Sequence, residues 1–398
     1  MNPQVDPVRI ERATVIRAIG PVFCYFFAAG IATVMLGPLL PGLIQHWHIQ
    51  DAQAGTLFTA NYAGQLCGAW VASRNLRASI VYGSLLSAIG CAAMVWANFG
   101  AAHAVLFGIG IGLGAGLTAG NIIAGTIYPS ARARLLSMLN VLWGIGAVTC
   151  PILIHVCGPA DFNLFFLVTS ACLALSAVFA IATPSATWSA TSSARGSSPK
   201  VPLNLSRPAL IIFAITIILY IGIENTLGGW LPSYAVRTNP SLQASTITLY
   251  FWIAELTGRL LVTAIIPVFT EATLYRICAI LFIATEALLC TRPQPSAASI
   301  IAFTAFSALT LAPLYPLIIA FLLARTGNHP NLGPLFSLAT IGGATLPWLT
   351  GVVSTRFGDL RAGLAVPAIC ATLFLAVSPI ITAKALTTPE TSSPPNVP

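Results

Sequence analysis

Twelve apolar runs, each separated from the next by a short polar stretch, set the pattern of this chain. They cover 18–44, 55–73, 78–98, 102–127, 135–157, 163–183, 209–236, 244–268, 274–290, 297–324, 332–354 and 362–384. A helix needs roughly 20 apolar residues to cross about 30 Å of hydrocarbon. The runs are too long and continuous for barrel strands, which alternate over about 10 residues. The pattern predicts an all-α membrane protein of twelve transmembrane helices, with boundaries good to about 2–4 residues.

Composition agrees: 57% of the 398 residues are hydrophobic and 7% charged, against about 25% charged in soluble domains. The first run follows Arg9, Arg12 and Arg17 and exceeds a signal peptide's core of roughly 7–15 residues, so it reads as a retained helix. The net charge of +8 does not imply nucleic acid, because the basic residues sort by side of the membrane. Counted loop by loop, one side holds Arg9, Arg12, Arg17, Arg74, Arg77, Arg132, Arg134, Arg195, Lys200, Arg207, Arg276, Arg325 and Lys384. The other holds Arg237, Arg292, Arg356 and Arg361, and Arg259 falls inside a span. Excess Lys and Arg marks the cytoplasmic face, which predicts that both termini are cytoplasmic. The nine cysteines lie mostly within spans without C-x-x-C spacing and read as small packing residues.

Between residues 183 and 208 the chain turns rich in Ser, Thr, Pro and basic residues, a composition that buries no core and reads as a cytoplasmic linker. The predicted organisation is a six-helix bundle over 1–182, the linker at 183–208, a second six-helix bundle over 209–385 and a disordered cytoplasmic tail at 386–398. Short matches recur between the halves. Leu36-Gly37-x-x-Leu40-Pro41 answers Leu227-Gly228-x-x-Leu231-Pro232, Gly64-x-Leu66 answers Gly258-x-Leu260, and Gly146 to Pro151 answers Gly342 to Pro347, at offsets of 191, 194 and 196 residues. Three matches in the same order argue for two parallel repeats, an architecture of secondary transporters whose site lies between the halves near the midplane.

Through this 6 + 6 pattern nearly the whole chain resembles the major facilitator superfamily. Its loop signature G-x-L-A-D-R-x-G-R is matched in part by Gly68 to Arg77, with Ala72 in place of the acid. Within that superfamily the chain is most similar to the fucose/proton symporter group, through MLNVLWGIGAVTCPIL (138–153) and YIGIENTLGGW (220–230). The group's sugar symporters carry an acid before Thr-Ala-Ala-Asn in helix 4. Here the segment is Leu117-Thr118-Ala119-Gly120-Asn121, which keeps Asn121 and lacks the acid. The helix 1 carboxylate of the fucose symporters is also missing, since no acid occurs between Glu11 and Asp51.

The acids well inside spans are therefore the informative ones: Glu224, Glu255 and Glu286, all in the second half. An ionised side chain at the bilayer centre costs at least about 2.5 kcal/mol, so such groups face a cavity or a partner. Glu224, followed by Asn225, Thr226 and the helix-weakening Gly228-Gly229, reads as a cavity residue that binds the coupling proton or the substrate. Glu255 and Arg259 are four apart, with the acid N-terminal, the favourable order for an ion pair; they read as a gate or a structural pair. Glu286 reads as a peripheral packing or surface residue.

Neutral groups in the first half, Thr33, Asn61, Tyr62, Gln65, Thr118, Asn121 and Asn140 beside Trp143, suit an uncharged polar ligand with hydroxyls to bond and a C–H face to cover. Asn225, Tyr250 and Trp252 are the matching candidates in the second half, whereas Trp230 and Trp348 read as lying nearer the outer interface. GIGIGLGAG (108–116) lacks the acid that a dinucleotide loop needs about 20 residues on, and its glycines read as close helix contacts. His46 and His48 have no third ligand nearby except Asp51, so no metal or cofactor is expected.

The expectation is a monomeric secondary transporter in the bacterial cytoplasmic membrane, moving a small neutral polar solute, such as a sugar, by proton coupling. Proton-antiport export of lipophilic compounds is the alternative, carried by the partial G-x-x-x-G-P match at Gly146 to Pro151. A sensor without turnover is a third reading. An enzyme is disfavoured because the nucleophile candidates within the spans are isolated Ser and Thr residues at helix-packing positions.

Overall fold

The computed structural model describes residues 7–72, 75–126, 132–158, 162–184, 205–292, 295–326 and 333–383. Most of the 183–208 connection, the tail from 386 onward, Arg74 and Asp161 lie outside the described residues. Among the described residues fifteen helices make twelve spans. The first span is α1 (Pro7–Val34) with α2 (Leu36–Trp47). It is followed by α3 (Asp51–Ala72), α4 (Leu76–Met94), α5 (Phe99–Thr126), α6 (Arg132–Cys157) and α7 (Phe162–Ala182). The second six are α8 (Arg207–Thr238), α9 (Ala244–Ile265), α10 (Glu271–Thr291), α11 (Ala297–Leu311) with α12 (Leu314–Thr326), α13 (Gly333–Leu338) with α14 (Thr340–Phe357), and α15 (Leu360–Ile381).

Two of the three split spans break for a backbone reason. Pro38 has no N–H to return to the carbonyl of Val34, where α1 gives way to α2, and Pro313 separates α11 from α12. At Ala339, between α13 and α14, no proline intervenes. Starts are set by polar caps: Asn75, Thr270, Ser296 and Asp359 each accept a backbone N–H from the first turn of α4, α10, α11 and α15. The apolar run beginning at residue 18 under-reads α1, because a helix can continue past the hydrocarbon into its charged flank.

Among the described residues nine helical segments are long and apolar enough to cross a membrane. The spans of α3, α9 and α14 fall outside that set, and all three make contacts between the halves. Helix α3 packs on α14, and α9 packs on α6 and α2. Within the first half, α3 crosses α5 closely: a Cβ on Gly64 or Gly68 would strike the backbone of Phe107 or Ile111. Gly112 in turn meets the backbone of Gly83 on α4, so the glycine run at 108–116 serves close helix contact.

The two ends of the molecule differ. At the end where α2 and α8 finish, called distal here, Arg237 of α8 donates two hydrogen bonds to Asp51 of α3, at 2.6 and 2.8 Å. Ser354 of α14 donates to the same carboxylate at 2.6 Å, and the Ala52 N–H donates to Thr355 at 2.8 Å. Asp51, the acid nearest to His46 and His48, is therefore committed to a bridge between the halves. His48 itself closes α2 in the left-handed conformation, with φ 50°.

Candidate functional site

Helix α8 carries Glu224 near its middle because its sequence offers a face of Tyr220, Glu224 and Leu227, spaced so that all three turn inward. Glu224 is 4% exposed. Its Oε1 accepts from Tyr220 Oη at 3.0 Å and from Arg259 Nη2 of α9 at 2.7 Å. The same guanidinium reaches back along α9 to Glu255, Nε to Oε1 at 2.5 Å. That second contact is ionic and not a directed hydrogen bond, because the Nε–H is not aimed at the oxygen. Glu255 is 1% exposed and interacts electrostatically with Glu224.

One guanidinium thus serves two buried carboxylates. With both acids ionised the group carries one net negative charge, and one added proton removes it. Buried charges persist when paired and hydrogen-bonded, and here the pairing is complete only in the protonated form. The Tyr315 ring stacks against Tyr220, with centroids 5.1 Å apart, and closes one side of the group.

One residue on from Glu224, the side chain of Asn225 points to the other half. It accepts a hydrogen bond from Tyr62 Oη of α3 and donates to its own Ile221 carbonyl at 2.7 Å. Thr33, Val34, Gly37, Phe58 and Tyr62 from the first half and Asn225, Gly228, Gly229 and Trp252 from the second line a void of about 10 Å³. That is room for about one water, so the halves are drawn together. Glycines allow that approach: Gly37 lies against the carbonyl of Gly228, and a Cβ on either Gly37 or Gly229 would collide with the opposite half.

The candidates from sequence separate into three groups. Asn225 and Trp252 line the void, and Trp143 packs edge to face on Trp252 at 5.5 Å; Glu224, expected to face the cavity, is not among the lining residues and turns to Tyr220 and Arg259 instead. Glu255 and Arg259 join Glu224 through the guanidinium. Asn61 and Gln65 are taken up in packing instead: Gln65 Nε2 donates to Asn61 Oδ1 at 2.8 Å, Asn61 points to the Leu106 carbonyl, and both are buried between α3 and α5. Tyr250 is 43% exposed and lies two residues from Trp252, about 200° around the helix, so it turns away from the void. Thr118, Asn121 and Asn140 sit toward the terminal end, Thr118 half-buried and the other two exposed.

Trp230 also departs from expectation. It is fully buried, donates Nε1–H to the Pro347 carbonyl at 2.9 Å and packs on Phe58 of the other half. Phe58, Tyr220 and the Asp51–Arg237 bridge were not singled out by sequence reasoning. Only Tyr220 left a signal, being four residues before Glu224 on the same face.

A family model, described as Major Facilitator Superfamily, matches residues 22–331. The chain belongs to the Major Facilitator Superfamily. It is a multi-pass membrane protein with that superfamily's fold, and among known proteins it is 23% identical over 386 residues to a glucose/galactose transporter of Brucella abortus, covering 87% of this chain and 89% of the relative. It is likewise 23% identical over 378 residues to bypass of stop codon protein 6 of Saccharomyces cerevisiae, covering 84% and 76%. Its structure is similar to that of the E. coli fucose:proton symporter, with a TM-score of 0.61 at 18% identity over 93% of this chain and 100% of that one.

Proposed function

We propose that this superfamily member is a proton-coupled secondary transporter of a small neutral polar solute, such as a sugar, working in the bacterial cytoplasmic membrane with both termini inside. The observation that carries the reading is the adjacency of two things. A void walled by both halves lies one residue from a buried carboxylate that shares its counter-charge with a second acid. Asn225 and Tyr62 supply donors and acceptors for hydroxyls, and Trp252 supplies an aromatic plate. The sugar-transporter names of the Brucella and E. coli proteins fit the same ligand chemistry.

In this reading Glu224 takes up the proton, with Glu255 as its partner across Arg259. Protonation frees the guanidinium from one of its two acids and removes the net charge, which lets α8 and α9 move against α3 and α6. The distal bridge of Asp51 and Arg237 holds the described arrangement closed on one side, and its release opens the void to that side. A second reading, export of lipophilic compounds, draws on Val34, Phe58 and Trp252 in the same wall.

Reconstitution into proteoliposomes separates the two. Proton movement driven by neutral sugars, present in the wild type and absent in Glu224→Gln, is the expected result. Flux driven only by lipophilic cations would select export, and sugar-driven flux with unaltered proton coupling in Glu224→Gln would remove that residue from the coupling step.

A further inference from the structure

Away from the void, a third buried acid lies inside the second half. Glu286 on α10 is 0% exposed. Its Oε1 accepts from Ser307 of α11 at 2.6 Å, and its Oε2 has no partner. One turn from Ser307 on the same face of α11, the Thr304 hydroxyl is also buried and without a partner. Two buried polar atoms without partners, one on Glu286 and one a turn from the hydroxyl that serves it, are costly in a bundle that spans a membrane.

The cations of the elements packed around Glu286 are all committed elsewhere. On α10 itself, Arg276 bonds Ser378 and Thr382 near the opposite end of the helix. Arg292, which closes α10, lies over the Phe303 ring at 5.7 Å. On α12, Arg325 is held by the carbonyls of Ile380, Ile381 and Ala383. At the start of α15, Arg361 pairs with Asp359 at 2.8 Å. The remaining titratable neighbour is the Cys290 thiol, one turn along α10, which brings no positive charge.

We infer that Glu286 is a second proton-binding site, separate from the Glu224 group, in which a carboxylic acid held between α10 and α11 takes the place of an ion pair. An ionised carboxylate here would have no counter-charge, and the cost of an uncompensated charge inside the bilayer is several kcal/mol. A protonated acid needs one acceptor for its own hydrogen and one donor for its carbonyl oxygen. Ser307 is that donor. Among the described residues no group of three or more His, Cys, Asp or Glu side chains is placed to hold a metal ion. The site stands whether or not Glu224 couples transport.

Infrared difference spectroscopy on the purified full chain in lipid tests this. The carbonyl stretch of a protonated carboxyl is expected in the wild type at neutral pH, shifted by deuterium oxide and missing in Glu286→Gln. Ser307→Ala, which keeps the acid, should move that band by removing its hydrogen bond, and this arm holds even if Glu286→Gln folds poorly. A wild-type spectrum without such a band, or one left unchanged by both variants, would overturn the inference. So would a carboxylate band that responds to sodium chloride but not to choline chloride and is lost in Glu286→Gln, because the occupant would then be a metal ion.

Discussion

The two halves share one fold and use their polar residues in opposite ways. In the first half, Asn61 and Gln65 satisfy each other between α3 and α5, and the groups that reach the void are Thr33, Tyr62 and the apolar Val34 and Phe58. In the second half, Glu224, Glu255 and Arg259 place charges next to the same void. Neutral amides can be consumed as helix glue because each brings both donor and acceptor. Carboxylates cannot, and the second half therefore keeps a group whose charge state changes with one proton. The first half is a wall, and the second holds the switch.

The contrast is broken most severely at Arg259. Arg259→Ala leaves two buried carboxylates without their counter-charge, and a loss of about 3–5 kcal/mol is expected, read as a fall in thermal unfolding temperature in detergent. Adding Glu224→Gln and Glu255→Gln to that variant should recover most of the loss, and no recovery would mean that packing, not charge, was lost.

Next in size is the bridge between the halves. A double-mutant cycle of Asp51→Asn and Arg237→Met should return a coupling of about 1 kcal/mol, kept small by the 40% exposure of the arginine side chain. A coupling of zero would remove the bridge as a distal clamp. The glue of the first half is weaker still. Replacing Asn61 and Gln65 together by Leu removes donor and acceptor at once, so a change under about 1 kcal/mol is expected, with sugar-driven flux unaltered. A lost flux would return these amides to the binding site.

The smallest effect lies outside the spans. Arg361 beside Asp359 holds that carboxyl below its usual range, so its contribution is present at neutral pH and is lost as pH falls through the lowered value. Asp359→Asn keeps the helix cap and should cost on the order of 0.3 kcal/mol. That cost should be seen at neutral pH and vanish in acid.

Much of this architecture is legible in the chain because lipid imposes a simple rule, and the twelve spans follow from it. The Glu255–Arg259 contact is legible because both residues sit on one helix, four apart. The link from Arg259 to Glu224 joins residues 35 apart on two helices, and no periodicity reports it. Asn61 and Gln65 misled because their spacing of four fits equally well a pair facing a ligand and a pair facing each other. Tyr250 misled because aromatic identity says nothing about which way a helix is turned. The distal bridge joins residues 186 apart, and only the packing of α14 against both α3 and α8 brings them together.

Movement of the second half against the neutral first half on protonation is read as a distance. Spin labels at Gln53 and Phe357, both exposed at distal ends in opposite halves, are placed on a cysteine-free background in lipid, and the separation is measured across pH. A separation that changes with pH in the wild type and is fixed in Glu224→Gln is the expected result of such movement. The same pH response in both proteins would contradict it.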